Sequence, residues 1–279
     1  DIYMVPLNMI PASLAVAPQN GAQEGLEADE RAGRRMFEER SEQAKRRLMA
    51  AWQGVVTDAV GRVMRREAAD IRRAMKRYLG ERSLPEFRRW LTEFYRDAPA
   101  WIKTTMMPII ASFATAIVEQ LRDEVTLPED HAQRMDAFVA EYADKMAVRH
   151  AARQRRSVEE LLDDAADPAA ITAAVSALLS DWEQHRYLVV GRNETVSVLG
   201  AVSRVTYTMG GVTYLRWRAN SEACPYCKEL DGRVVGVDTP FIGPGDSLNP
   251  SGGTGPMQFK NRITHPPLHD GCQCTIVPG

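Results

Sequence analysis

The chain has 279 residues, 44% hydrophobic and 26% charged, with a formal net charge of −2. This is the balance of a soluble globular protein with room for a sizeable core and for two domains. The longest mostly apolar run, about Met106–Val118, contains Pro108 and is too short to span a bilayer. No signal peptide is evident, so neither a membrane protein nor a secreted one is expected.

Pro6, Pro11 and Pro18 predict an extended N-terminal arm, and residues 12–28 read as a linker of small and polar residues. The chain starts at Asp1 rather than at Met, which predicts a processed or excised piece of a longer product. Residues 24–80 hold no proline and carry a helical period. Val56, Val60, Val63, Ile71, Met75 and Tyr78 form its apolar stripe, interrupted by Glu67. Arg62, Arg65, Arg66, Arg72, Arg73 and Lys76 form the opposite face. The reading is one amphipathic helix, or two in series near Gly54 or Gly61.

Pro85, Pro99, Pro108 and Pro128 punctuate the next stretch of chain. Ser83 is expected to cap a helix through Tyr95, and Asp97 to cap the next with Pro99 just inside it. Residues 129–156 predict a further helix ending in Arg153-Gln-Arg-Arg156. Ser157-Val-Glu-Glu160 reads as a capping box opening a short one. Asp167-Pro168 starts another, to about Arg186. The region 24–184 is thus expected to be all-α.

The character of the chain changes after Tyr187. A helix from Asn193 to Met209 should stop at Gly210-Gly211. Val212–Trp217 alternates as a strand does, with Arg233–Val237 as its partner. Asp231-Gly232 suits a turn with positive φ at the glycine. Residues 239–256 hold nine glycines and prolines, which predicts an irregular exposed loop. The fold class expected is mainly α, a multi-helix region followed by a small α+β cysteine/histidine-knuckle module. The division expected is an arm at 1–23, a helical scaffold at 24–184 and the module at 185–279.

That module holds the sharpest chemical signal. Cys224-Pro-Tyr-Cys227 is followed by His265-Pro-Pro-Leu-His269-Asp-Gly-Cys272-Gln-Cys274, which accounts for all four cysteines. Two short knuckles of thiolate and imidazole donors are what a tetrahedral Zn²⁺ site requires. Six donors compete for four places: Cys224, Cys227 and Cys272, then His269 or Cys274, with His265 as second choice. Structural zinc is expected, because no carboxylate or third histidine stands at ligand spacing to leave a coordination position open. Two disulfides in one of three pairings, or reduced thiols in a small core, are the competing readings.

Trp217-Arg-Ala-Asn-Ser-Glu-Ala-Cys-Pro-Tyr-Cys-Lys-Glu-Leu-Asp-Gly232, with His-Pro-Pro-Leu-His-Asp-Gly-Cys-Gln-Cys-Thr-Ile-Val-Pro278, resembles the C-terminal core of the Mu F-like phage head-morphogenesis (minor capsid) proteins. Arg192-Asn-Glu-Thr195 resembles the Arg-x-Glu-Thr at the start of that family's preceding helix. The resemblance covers about residues 185–278. The chain departs from the family pattern in a long insertion between Asp238 and Arg262 and in Gln273, where arginine is common. Asp1-Ile-Tyr-Met-Val-Pro-Leu-Asn-Met-Ile-Pro11 resembles a segment near the C-terminal end of tailed-phage portal proteins.

The resemblance implies a structural minor head protein acting at or near the portal. Its partners would be the portal and the capsid interior, with several copies per particle, assembled in the host cytoplasm and carried in the virion. Contact with packaged DNA and departure at ejection are further implications. Residues 31–96 contain 18 Lys and Arg against 9 Asp and Glu, so their basic face could meet DNA phosphates or an acidic partner. The bland alternative is a solvated face with local pairs such as Glu42–Arg46. Arg192 and Glu194 are expected in the first turn of a helix, as an ion pair locking it onto the knuckle. Trp217, Asp231 and Gly232 are expected to be structural. The competing function is a zinc-stapled, metal-dependent nuclease using His265 or His269 with Asp270 or Asn261.

Overall fold

A computed structural model describes residues 20–79, 83–164 and 167–279, with the backbone alone for residues 20–31, Arg34 and Asp164. The portal-like segment Asp1–Pro11 and the first part of the linker lie outside the described residues. The fold is mainly helical, with a small strand-bearing region at the C-terminal end that carries the cysteine/histidine cluster. Two compact units divide between Ser41 and Glu42, inside the first helix, α1 (Asn20–Tyr78). The helical core and the cysteine-rich region belong together to the second, Glu42–Gly279.

The apolar stripe of α1 is buried as its spacing requires: Val56, Val60, Val63, Ile71 and Met75 all enter the core. Glu67 enters with them and is paired there with His150. α2 (Leu84–Leu121) departs from the reading of two or more short helices, since it runs unbroken through Pro99 and Pro108. Asp97 caps nothing; it pairs with its neighbour Arg96. Each proline removes one backbone hydrogen bond. The loss is outweighed by a buried stripe from Phe87 and Leu91 through Ile102, Ile110 and Phe113 to Leu121. By length and composition α2 is apolar enough to cross a membrane, which overturns the expectation of no such stretch. Its buried stripe lies in the bundle core, and α2 packs most extensively on α3 (His131–Asp164).

α3 also runs past an expected break. Ser157 Oγ donates back to the Arg153 carbonyl at 3.2 Å instead of capping a new helix. α4 (Pro168–Asp181) does begin as read, with Asp167 accepting from the backbone N–H groups of Ala169 and Ala170 at 2.8 and 2.9 Å. A π-helical stretch, Trp182–Arg186, then leads directly into α5 (Tyr187–Met209). Asn193 is therefore well inside a helix, not at its start.

The C-terminal region is built on a three-stranded antiparallel sheet of β1 (Tyr214–Arg218), β2 (Val234–Gly236) and β5 (Thr275–Pro278), in the order β2-β1-β5. Leu215 faces Val235 on one side, and Trp217 faces Ile276 on the other. Gly232 adopts φ +78 in the turn before β2, as predicted. The loop at 239–256 is less irregular than its composition suggests. β3 (Ser247–Leu248) pairs with β4 (Met257–Gln258), and Phe241, Ile242 and Leu248 are buried. Gly200 lets the 265–266 backbone lie against α5, because a Cβ there would stand 2.8 Å from the Pro266 oxygen.

Candidate metal centre

Cys224 is the N-cap residue of a short helix, α6 (Pro225–Leu230), and Cys227 lies in its first turn. Pro225 suits that first position, where its missing N–H costs nothing. The helix closes with Lys228 N–H donating to the Cys224 carbonyl at 3.0 Å, which turns both sulfurs the same way. Trp217, fully buried on β1, holds the other end of the knuckle. Its backbone carbonyl accepts from Gly232 N–H and its N–H donates to the Arg233 carbonyl, both at 2.9 Å. Asp231 accepts from Ala219 N–H at 2.9 Å. Trp217, Asp231 and Gly232, all expected to be structural, thus clamp the turn that carries the first cysteine pair.

The second cluster folds back onto this corner. His269 Nε2 lies 3.0 Å from Cys224 Sγ and 3.2 Å from Cys227 Sγ. Cys227 Sγ and Cys272 Sγ are 3.7 Å apart. Cys224, Cys227 and His269 form one group able to hold a metal ion, and Cys227, Cys272 and Cys274 form a second that shares Cys227. All four cysteines are free. A tetrahedral ion with metal–sulfur bonds of about 2.3 Å sets its sulfurs roughly 3.8 Å apart, which is the spacing of Cys227 and Cys272. The His269 ring is fixed from behind, because Nδ1 lies 2.8 Å from the Asp270 carbonyl. Donation there leaves the Nε2 lone pair facing the sulfurs, the tautomer a metal ligand needs.

The protonation pattern fits shared thiolates. Hydrogen bonds from Cys227 and then Cys274 hold Cys272 down to about 2. Cys227 is pushed well up because it donates to Cys272 and Cys274. Cys274 is pushed up to about 12: the Cys227 bond pulls it down, but Cys272 and burial outweigh that pull. Burial opposes the thiolate of Cys224, yet the Cys227 backbone N–H and His269 leave it lowered. Burial likewise opposes charge on His269, and the Asp270 carbonyl and Cys224 more than offset it. The Trp217 indole N–H helps draw Cys274 down and has no other partner among the described residues. A cation bound here has to displace the protons that Cys227 and Cys274 retain, so its affinity should rise with pH.

Other expected site residues are placed differently. His265 stands outside both donor groups; its Nδ1 is 2.7 Å from the Pro266 carbonyl, and burial lowers it to about 4. Glu194 is in mid-helix, away from any helix-terminal dipole, and accepts from Tyr142 Oη–H at 2.7 Å. Among the described residues it forms no ion pair with Arg192, which is exposed. The residue that does tie α5 to the knuckle is the one between them. Asn193 Nδ2 donates to Asp270 Oδ1 at 2.7 Å and its Oδ1 accepts from Gly271 N–H at 2.9 Å. On α1, Arg62, Arg65, Arg66, Arg73 and Lys76 are exposed. Several of its charges are locally answered: Arg72 chelates Glu183 at 2.8 and 2.7 Å, Arg73 pairs with Asp70, and Arg66 stacks 4.2 Å from the Trp101 ring centre.

Comparison with family models, with curated proteins and with solved structures gives no match for this chain.

Proposed function

We propose that the cluster holds a structural Zn²⁺ ion through Cys224, Cys227, His269 and Cys272, and that the chain is a structural minor head protein of a tailed phage. The observation that carries the reading is the convergence of both knuckles on one corner, with His269 Nε2 turned onto two sulfurs. Soft thiolates with one imidazole select zinc over harder cations. The ion would staple a module whose three strands are only five, three and four residues long. Of the residues given a structural reading by the head-morphogenesis resemblance, Trp217, Asp231 and Gly232 serve this corner, whereas Arg192 is exposed and Glu194 accepts from Tyr142. The non-catalytic reading is preferred to a nuclease because His269 is committed to the sulfurs and Asp270 to Asn193.

In this reading the helical scaffold offers the contact surface toward the portal and capsid interior, and the exposed arginines of α1 are available to packaged DNA. Cosedimentation of the full chain with portal and procapsid tests the assembly role. Retention in purified particles supports it, and absence from them overturns it. Zinc content of the purified chain tests the metal separately. About one equivalent is expected, and less than half an equivalent removes the site.

A further inference from the structure

α3, α5 and the 262–270 loop line an open cleft of ≈ 540 Å³ beside the metal centre, with Arg149, Arg153 and Arg262 exposed at its surface. A smaller one of ≈ 70 Å³ adjoins it and shares Arg149, Arg153, Val190 and Glu194 as lining. Four arginines reach the larger space: Arg149 and Arg153 from α3, Arg204 from α5 and Arg262 from the loop. Arg204 is engaged, donating to the Val237 carbonyl at 3.0 and 2.7 Å. The side chains of Arg149, Arg153 and Arg262 make no hydrogen bond or ion pair among the described residues. Arg149 has only the Tyr142 ring beneath it, 5.9 Å to the centre.

The acids present do not answer these cations. Asp270 is held by Asn193, with Arg186 at 3.8 Å. Glu194 takes the Tyr142 proton, and desolvation raises it despite that bond and the charges of Arg149, His150 and Arg153. The deep end of the smaller space is apolar, walled by Val60, Val63, Ile102, Met106 and Met146. Two polar side chains interrupt that wall: His150, whose Nε2 is paired with Glu67, and Gln154, which is 2% exposed and whose Nε2 has no hydrogen-bond partner among the described residues. A buried amide donor without an acceptor marks a place where something else supplies one.

We propose that this cleft binds a small organic phosphate of about nucleotide size, with Arg149, Arg153 and Arg262 on the phosphate and Gln154 donating to an acceptor on the organic part. Three forked guanidinium groups match a dianion with three acceptor oxygens, whereas one arginine would satisfy a carboxylate. The volume falls in the range of small-molecule sites. The site does not rest on the head-protein reading, and it shares His269 and Asp270 with the metal-binding loop as lining.

Calorimetric titration of the full chain with inorganic phosphate and with AMP tests it. AMP should saturate near one equivalent and bind about tenfold or more tightly than phosphate. Arg153→Gln and Arg262→Gln should each weaken both probes about tenfold. Gln154→Leu should weaken AMP alone. Arg156→Gln, on the exposed surface of α3, should change neither. Arg262 lies on an exposed loop, so its variant still tests the site even if a change in α3 costs the fold. Failure of AMP to bind below about 10 mM overturns the proposal. Equal losses with Arg156→Gln and Arg153→Gln, or binding of a short single-stranded oligonucleotide where AMP fails, overturn it as well.

Discussion

Asn193, in the middle of α5, grips the metal-binding loop with both ends of its amide: Nδ2 donates to Asp270 Oδ1 at 2.7 Å while Oδ1 accepts from Gly271 N–H at 2.9 Å. Asp270 and Gly271 lie between His269 and Cys272, and the Asp270 carbonyl fixes the His269 ring. Asn193→Ala should therefore loosen two proposed ligands at once without touching either. Support of this kind is worth about 10–100-fold in metal affinity, and the two lost bonds about 1–3 kcal/mol of stability. Chelator competition and thermal melting read the two effects. Unchanged zinc affinity in a folded variant would show that the loop is held by its own turn.

The identity of the fourth ligand is also open to a direct test. With His269 in the shell, Cys274→Ser should retain about one equivalent of zinc, and His269→Ala should lose it or bind at least tenfold more weakly. Cobalt substitution gives the second readout, since three-thiolate and four-thiolate sites differ in their charge-transfer absorption. A wild-type spectrum of four thiolates would exchange Cys274 for His269. Strong chelation of the native chain should unfold the strand region while leaving most helical ellipticity, because α2 and α3 pack more extensively on each other than on the strands.

The knuckles can be read in the sequence because each is local. Cys224 and Cys227 lie on one helical turn, and Trp217, Asp231 and Gly232 brace that turn from nearby in the chain. Asn193 cannot be read this way. Its partner is 77 residues away, and nothing in an Arg-Asn-Glu-Thr string marks the asparagine above its charged neighbours. The prolines of α2 mislead for the opposite reason. Local rules end a helix at Pro99 and Pro108, but burial of a stripe running the length of the helix outweighs the hydrogen bonds they remove. Ser157 meets the same conflict, bonding back to Arg153 inside a continuing helix. Phe241, Ile242 and Leu248 are hidden by the glycines and prolines around them, although sparse apolar residues suffice once a sheet lies beneath.

Glu67 is visible in the sequence as an interruption of the apolar stripe, and its pairing with His150 Nε2 at 2.8 Å explains how the stripe tolerates it. Glu67 is 0% exposed, so removing its partner leaves a buried acid uncompensated. His150→Leu should cost about 3–5 kcal/mol. Replacing both, as Glu67→Leu with His150→Leu, should recover most of that loss, because a hydrophobic pair of similar volume serves as well as a buried polar one. Urea denaturation of the single and double variants measures the coupling. Additive losses would mean that the two side chains do not act as a pair.

Lys45 provides a pH signature of its own. It is 1% exposed, donates to Tyr207 Oη at 2.5 Å and lies 3.5 Å from Glu124 Oε2, to which Tyr207 also donates at 2.5 Å. Burial lowers Lys45 from 10.5 to about 8, with Glu124 acting in the opposite direction. Below pH 8 the ammonium is present in folded and unfolded chains alike, and the folded state bears its whole desolvation cost. Between about 8 and 10.5 the folded chain has released a proton that the unfolded chain still holds, so stability should rise with pH. A shift of this size corresponds to about 3 kcal/mol across the window. Lys45→Met should remove that rise, and the difference between the two stability–pH curves isolates Lys45 from other groups titrating there. Parallel curves across that alkaline range would mean that Glu124 and Tyr207 keep the lysine charged throughout.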